Sequence, residues 1–306
     1  VLQDYGLARF VNIDQKNGGG YLKENTTWAK QTIAHNTLVV NETSHFEGAY
    51  AIGSRFHSDK YFSVLSSNGN QLISAKENNA YKDVKMHRTL LLIEDDRLDN
   101  PLVLDVFKVD SKNKNQYDVP YHYFGQIMST SFPLESQGYL MPLGTDNGYQ
   151  HLWLRSRTKN EKLLNQVSWF SGTTFKTLTM INTPDDEFLF TQLGANDPKF
   201  NLRNDSSFII RRKNTTATLF VSAIEIHGNY SPVSEIAVNA TSSLKNLKMV
   251  MNSDEYTAIE IEFNSGIPLQ FIISNQNASK EQEHTLNING EKLNWRGPYL
   301  IKKQIQ

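Results

Sequence analysis

The feature that most limits what this chain can become is a succession of short β-forming runs with no helical period between them. HRTLLLIE (residues 87–94), PLVLDVFKV (101–109), FGQIMSTSF (124–132) and QHLWLRSR (150–157) are rich in branched and aromatic residues and are bounded by Asp, Asn or Pro. VSWF, TFKTLTMIN, EFLFTQLG, FIIRR and ATLFVSAIEIHG continue the series. No stretch of about twelve residues keeps apolar side chains at the i, i+3, i+4, i+7 spacing of an amphipathic helix. Strands with turn signals roughly every eight to twelve residues predict an all-β fold, a large antiparallel β-sandwich.

Alternation along individual runs sharpens the expectation. In QHLWLRSR, Leu152 and Leu154 fall on one face, Trp153 and Arg155 on the other. In AIEIEF, Ile259 and Ile261 are predicted to point inward and Glu260 and Glu262 outward. A short apolar strand is expected over 35–40, then loops around a short strand over 41–60. From about Ser242 the runs MVMNS, TAIEIEF, LQFIIS, TLNING and PYLIK form a further set. Residues 1–241 are therefore read as the sandwich, and 242–306 as C-terminal strands of that sandwich or of a small accessory sheet. No repeat, low-complexity linker or charge block marks a sharp boundary.

Composition excludes several roles. A net charge of −1 supplies no basic field, so nucleic acid is not an expected partner. No apolar run approaches the roughly twenty residues of a membrane-spanning helix. Zero cysteines exclude disulfides and thiolate chemistry, so any metal must be held by His and carboxylate.

The chemistry-bearing residues gather near the start, in LQDYGLARF, GGGYLKEN and WAKQTIAHNT. Asp4 is a hard anionic ligand, Arg9 a planar cation, Tyr21 a phenol able to move a proton and His35 an imidazole: a metal-plus-acid/base inventory suited to a charged substrate. Each also has a plainer reading. Asp4 could take backbone donors at a turn, Arg9 could be a solvated strand residue, Tyr21 a loop anchor after three glycines, and His35 a satisfied core or edge histidine. Spacing alone does not choose. His122, Tyr123 and His151 are read as structural, and Trp28 and Trp153 as core aromatics before sugar platforms.

Similarity shifts the balance. LQDYGLARFVN, GGGYLKENTTWAKQTIAHNTLVVNETSHF, YDVPYHYFGQ, LGTDNGYQHLWL and EIHGNYSPVSE resemble the C-terminal portion of the alginate lyases of polysaccharide lyase family 17, within the heparinase II/III-like group. AHNT is common to the wider group; the run over 18–46 and YDVPYHYFGQ are specific to the alginate-acting branch. Asn41 stands where that branch often has Asp. The resemblance implies an N-terminal α/α toroid and an HGHFD-like motif upstream of this stretch, both absent from this sequence. It implies that Asp4 and His35 are two ligands of a zinc site, probed against the alternative that they are simply hydrogen-bonded to each other. Its third ligand would come from the missing motif.

The resemblance further implies that Tyr21 takes part in proton transfer, that Arg9 lies near the substrate carboxylate and that Glu235 contacts substrate. The reaction implied is exolytic β-elimination across a 4-linked uronate, alginate first and heparan-type polymers as the alternative. The partners implied are an acidic oligo- or polysaccharide, the enzyme's own α/α toroid and a second copy in a homodimer, in a periplasmic or secreted setting. The rival readings are a non-catalytic carbohydrate-binding sandwich and a purely structural jelly roll.

Overall fold

The computed structural model describes residues 1–5, 22–65 and 69–303. Its long strands fall into three antiparallel sheets that share apolar cores. The central sheet has eight strands in the spatial order Asp59–Leu65, Gln71–Glu77, Val84–Ile93, Leu102–Ser111, Thr218–His227, Thr174–Ile181, Leu164–Ser171 and Gln126–Thr130. Because side chains alternate along a strand, this sheet feeds two cores. Leu102, Leu104 and Val106 enter one; Phe107 and Val109 enter the other. The neighbouring strand divides the same way, with Leu219 and Val221 on one side and Phe220 and Ile224 on the other.

The core entered by Phe107 and Val109 is closed by a six-stranded sheet in the order Val39–Val40, Asn115–Tyr123, Ser206–Thr215, Glu187–Leu193, Leu152–Lys159 and Ser136–Pro142. It contributes Val119, Tyr121, Phe188, Phe190, Phe208 and Ile210. Phe132 stacks on Phe188 with ring centroids 4.6 Å apart. Each such side chain taken out of water contributes about 1.5–3 kcal/mol, so the face-to-face packing fixes the register of both sheets.

The other core is closed by a four-stranded sheet of Leu244–Asn252, Tyr256–Phe263, Leu269–Ser274 and Tyr299–Lys303, through Leu247, Ile259, Ile261 and Phe271. Its far face is in turn covered by the hairpin Glu283–Ile288 and Glu291–Arg296, whose Leu293 and Trp295 meet Ala258 and Ile272. Here the alternation was misleading: Glu260, expected outward, is buried, because the face it shares with Ala258 is covered by the hairpin.

Two further expectations are corrected. The strand expected over 35–40 is only Val39–Val40, and a 3-10 turn, Thr32–Ala34, brings the chain to His35. Residues 41–60 hold a 3-10 turn, His45–Gly48, and a four-residue α-helix, Tyr50–Gly53, before the strand starting at Asp59.

Charges are buried in pairs. Arg88 grips Asp105 (2.9 and 2.6 Å), Arg212 grips Asp186 (2.7 and 2.6 Å) and Arg211 grips Asp118 (2.8 and 2.7 Å), each with two hydrogen bonds. Tyr149 donates to the same Asp118 carboxylate at 2.6 Å, and Glu42 approaches Arg211 at 2.8 Å. Burial works against the Arg211 charge, but the bonds and charge of Asp118 outweigh it and hold the guanidinium above its ordinary range. Removing one member strands the other in a dry site. Asp118→Ala is therefore expected to cost about 3–5 kcal/mol, read as an early midpoint in urea unfolding; Asp118→Asn, which keeps the shape, should cost less.

Candidate functional site

The six-stranded sheet is apolar on its inner face, but its outer face mixes Leu189, Leu193 and Ile209 with Asp118, His122 and Arg211. A polar surface of that kind has to be covered by groups that satisfy it. The N-terminal residues provide the cover. Leu2 bridges to Tyr123, and the Gln3 amide donates to the His122 carbonyl at 2.7 Å. The Tyr5 hydroxyl donates to Asp205 at 2.8 Å, and Arg203 ties Asp205 to Gln3. Tyr5, Trp28, Ala29 and Ile33 then close over the apolar part of the face. Trp28 is fully buried, making edge contacts with Tyr5 and His122, so it is a core residue.

Asp4 and His35 meet where this cover reaches the surface. His35 Nδ1 lies 2.5 Å from Asp4 Oδ1, with the carboxylate side chain 70% exposed and the imidazole 33%. The other ring nitrogen, Nε2, is 3.0 Å from the Ala29 carbonyl. A carbonyl can only accept, so Nε2 carries the hydrogen, and the arrangement turns Nδ1 towards the carboxylate. Two electron-rich atoms do not face each other at that distance without a positive centre between them. A shared hydrogen meets that need at 2.5 Å, and a metal held about 2.0–2.2 Å from each could take its place only with the two atoms farther apart. A carbonyl on the far nitrogen is also what orients a metal-bound imidazole. The donor pair thus fits half of a His/carboxylate metal site, and among the described residues no group of three or more His, Cys, Asp or Glu completes it.

Asn36, next in the chain, holds this corner to both sheets of the sandwich. Its side chain accepts from the His122 amide at 2.8 Å and donates to the Gln3 carbonyl, while its own carbonyl accepts from Arg88 at 2.6 Å. His122 is buried, with Nε2 2.8 Å from the Ile33 carbonyl, and burial pushes its pKa down to about 4. His151 bridges the Ala195 carbonyl (3.0 Å) and Thr27 (2.8 Å), and burial lowers its pKa as well. Both are neutral struts near neutral pH. Gly148, at φ +92°, is required here: a Cβ would come within 2.5 Å of Ile33.

Beside His35 opens a groove of about 550 Å³, lined by Lys30, Gln31, His45, Tyr50 and Ser54 among others. The segment 31–35 and the turn that follows are stitched together there. Ser44 accepts from the Thr32 amide at 3.1 Å and donates to Gln31 at 2.6 Å, and Thr32 accepts from the His45 amide at 2.8 Å.

Of the residues singled out by sequence, the structure brings Asp4 and His35 into direct contact. Glu235 lies apart from that pair's hydrogen bonds, exposed in the turn between the short strands Asn229–Ser231 and Ile236–Val238 at φ 56°. Arg9 and Tyr21 lie outside the described residues. Asn36, Lys30, His45 and Tyr50 were passed over. Only Asn36 had a visible signal, its place inside AHNT.

The family follows from comparison. A model of the heparinase II/III-like C-terminal family matches residues 1–248, and the chain belongs to that family. It is 38% identical over 302 residues to an exo-oligoalginate lyase of Saccharophagus degradans, covering 97% of this chain and 40% of that protein. It is 36% identical over 300 residues to an alginate lyase of Stenotrophomonas maltophilia, covering 98% of this chain and 40% of that protein. The chain therefore spans well under half the length of these relatives. A solved heparinase III with methylated lysines shares the fold, with a TM-score of 0.52 over 99% of this chain and 34% of the other at 14% identity.

Because His122 is held neutral in the fold and takes up a proton near its ordinary value of about 6.5 when unfolded, the unfolded chain binds more protons in between. Stability from His122 is complete above about pH 6.5 and declines as pH falls towards about 4. Thermal melts from pH 7 to pH 5 should show a falling midpoint. His122→Gln, which can keep the bond to the Ile33 carbonyl, should flatten that slope.

Proposed function

We propose that this chain forms part of the active site of a polysaccharide lyase that cleaves alginate or oligoalginate by β-elimination, releasing unsaturated units from chain ends. The observation that carries the reading is identity of more than a third, sustained across almost the whole chain, with two alginate-acting lyases. The Asp4–His35 pair at the surface, with His35 lining a groove, supports it.

In the reaction a base removes the C5 proton of the uronate, the electron pair forms the C4–C5 double bond, and the C4–O4 bond breaks as O4 takes up a proton. The C5 proton is weakly acidic, so charge developing on the carboxylate must be stabilised. Arg9 is assigned to that carboxylate, bidentate where geometry allows. Tyr21, following three glycines that let backbone come close to the sugar, is assigned to proton transfer, as acid towards the departing O4. Glu235 is assigned a substrate contact from the ribbon turn.

Asp4 and His35 would hold a zinc ion with a third donor from outside the described residues. When bound, that ion supplies a structural cross-link, since elimination needs no metal-activated water. A periplasmic or secreted location fits a polymer substrate of this size.

Assay of the full-length protein on polymannuronate, polyguluronate and heparan sulfate tests the substrate, by absorbance of the unsaturated product. Tyr21→Phe is expected to lower kcat about 10²–10⁴-fold; a smaller loss would reduce Tyr21 to a packing role. Elemental analysis should find zinc in the purified full-length protein and markedly less in His35→Ala. Equal metal in both would leave Asp4 and His35 as a plain hydrogen-bonded pair.

A further inference from the structure

We propose that the groove beside His35 is a binding subsite for a further uronate ring of the same saccharide, with Tyr50 as its aromatic wall and Lys30 as the partner of its carboxylate. The proposal rests on the lyase reading for its ligand class, and on separate residues for its site. Tyr50 is 72% exposed although large and aromatic, and it opens the short helix Tyr50–Gly53 rather than packing into a core. Lys30 reaches over it, Nζ lying 5.1 Å from the ring centroid, and no carboxylate among the described residues pairs with that ammonium. An exposed cation–π contact is weak beside a charge-assisted hydrogen bond to a carboxylate. An incoming uronate would therefore draw the ammonium off the ring and lay its apolar C–H face in its place. Ser54, also in the lining, offers a hydroxyl to the ring hydroxyls, while the Gln31 amide is bonded to Ser44 and Thr26.

The turn that sets Tyr50 is unusual. Phe46 (φ 54°, ψ 29°) and Glu47 (φ 57°, ψ 28°) both adopt the left-handed conformation, followed by Gly48 at φ 73°. L-residues rarely do so in succession, and such backbone persists only where surroundings enforce it. The enforcement is visible: the Phe46 amide donates to Ala80 (2.9 Å), the His45 amide to Thr32 (2.8 Å), and His45 Nε2 lies 3.1 Å from the Leu38 carbonyl. A strained turn clamped at three places and leading into an exposed aromatic is a device for presenting that ring. The volume, about 550 Å³, falls within the range of about 300–1,000 Å³ common for small-molecule sites. A different groove, lined by Lys76, Lys85 and Lys108, has two of its three ammoniums already engaged. There Lys76 is bonded to the Asn275 carbonyl and Lys108 to Asn252 and Ser253, so those ammoniums hold the outer sheet's turns in place.

The test is calorimetric titration of the full-length protein carrying Tyr21→Phe, so that oligomers persist, with a mannuronate disaccharide, a tetrasaccharide and a carboxyl-reduced tetrasaccharide. Lys30→Gln should weaken the tetrasaccharide about tenfold and leave the disaccharide within about twofold. It should not further weaken the carboxyl-reduced tetrasaccharide. Tyr50→Ala should weaken both tetrasaccharides. The groove is overturned if Lys30→Gln affects both lengths alike, if neither variant changes tetrasaccharide binding, or if the parent protein binds no tetrasaccharide. A variant that lowers the melting temperature with binding intact also overturns it, marking the groove as a seat for another part of the protein. Turnover with Tyr21 intact is scored separately. Absence of unsaturated product removes the lyase reading, while a length-dependent loss at Lys30 would still establish an oligouronide subsite.

Discussion

Both faces of the middle strands of the eight-stranded sheet are removed from water, and the other layers follow from that constraint. A sheet whose strands carry Leu104 and Val106 on one side and Phe107 and Val109 on the other needs a cover on each. The six-stranded sheet supplies one and the C-terminal four-stranded sheet the other. The hydrophobic term is non-directional, so it selects layers rather than contacts. Direction comes from the charged pairs, Arg88 with Asp105 inside the sandwich and Arg211 with Asp118 on the outer face of the six-stranded sheet, each fixing its two strands at one register.

The polar outer face of the six-stranded sheet has a different consequence. Its Asp118, His122 and Arg211 cannot be left dry and unbonded, and the segments that satisfy them are those that carry the candidate site. Asn36 spans the Gln3 carbonyl, the His122 amide and Arg88, so His35 is placed by the same bonds that finish the sheet. Site geometry and sheet stability are thus the same set of interactions around residues 3, 36 and 122. A site built on that support is held more rigidly than one on a free loop.

Legibility from sequence was uneven, and the reasons are physical. Strands at 84–93, 102–111 and 152–159 could be read because branched residues with a period of two leave few alternatives. Glu260 could not, because whether a strand's second face meets water depends on a hairpin lying some thirty residues away in sequence. The 3-10 turn before His35 and the left-handed turn at Phe46 were also hidden. Both are imposed by bonds from Ala80, Leu38 and Ser44 rather than by local preference. Trp28 illustrates the same limit: nothing in its neighbours distinguishes a core ring from a sugar platform.

By itself the amino-acid order determined the all-antiparallel class and, through LQDYG, AHNT and YDVPYHYFGQ, kinship with lyases acting on acidic sugars. Both depend on local periodicity or on motifs that survive in one dimension. Tertiary structure alone decided that Asp4 and His35, thirty-one positions apart, touch at 2.5 Å, that Asn36 binds two sheets, and that Lys30 and Tyr50 share a groove with His35. Those contacts are set by how a polar sheet face is covered, and the free energy of that cover is spread over residues that no short stretch of sequence contains.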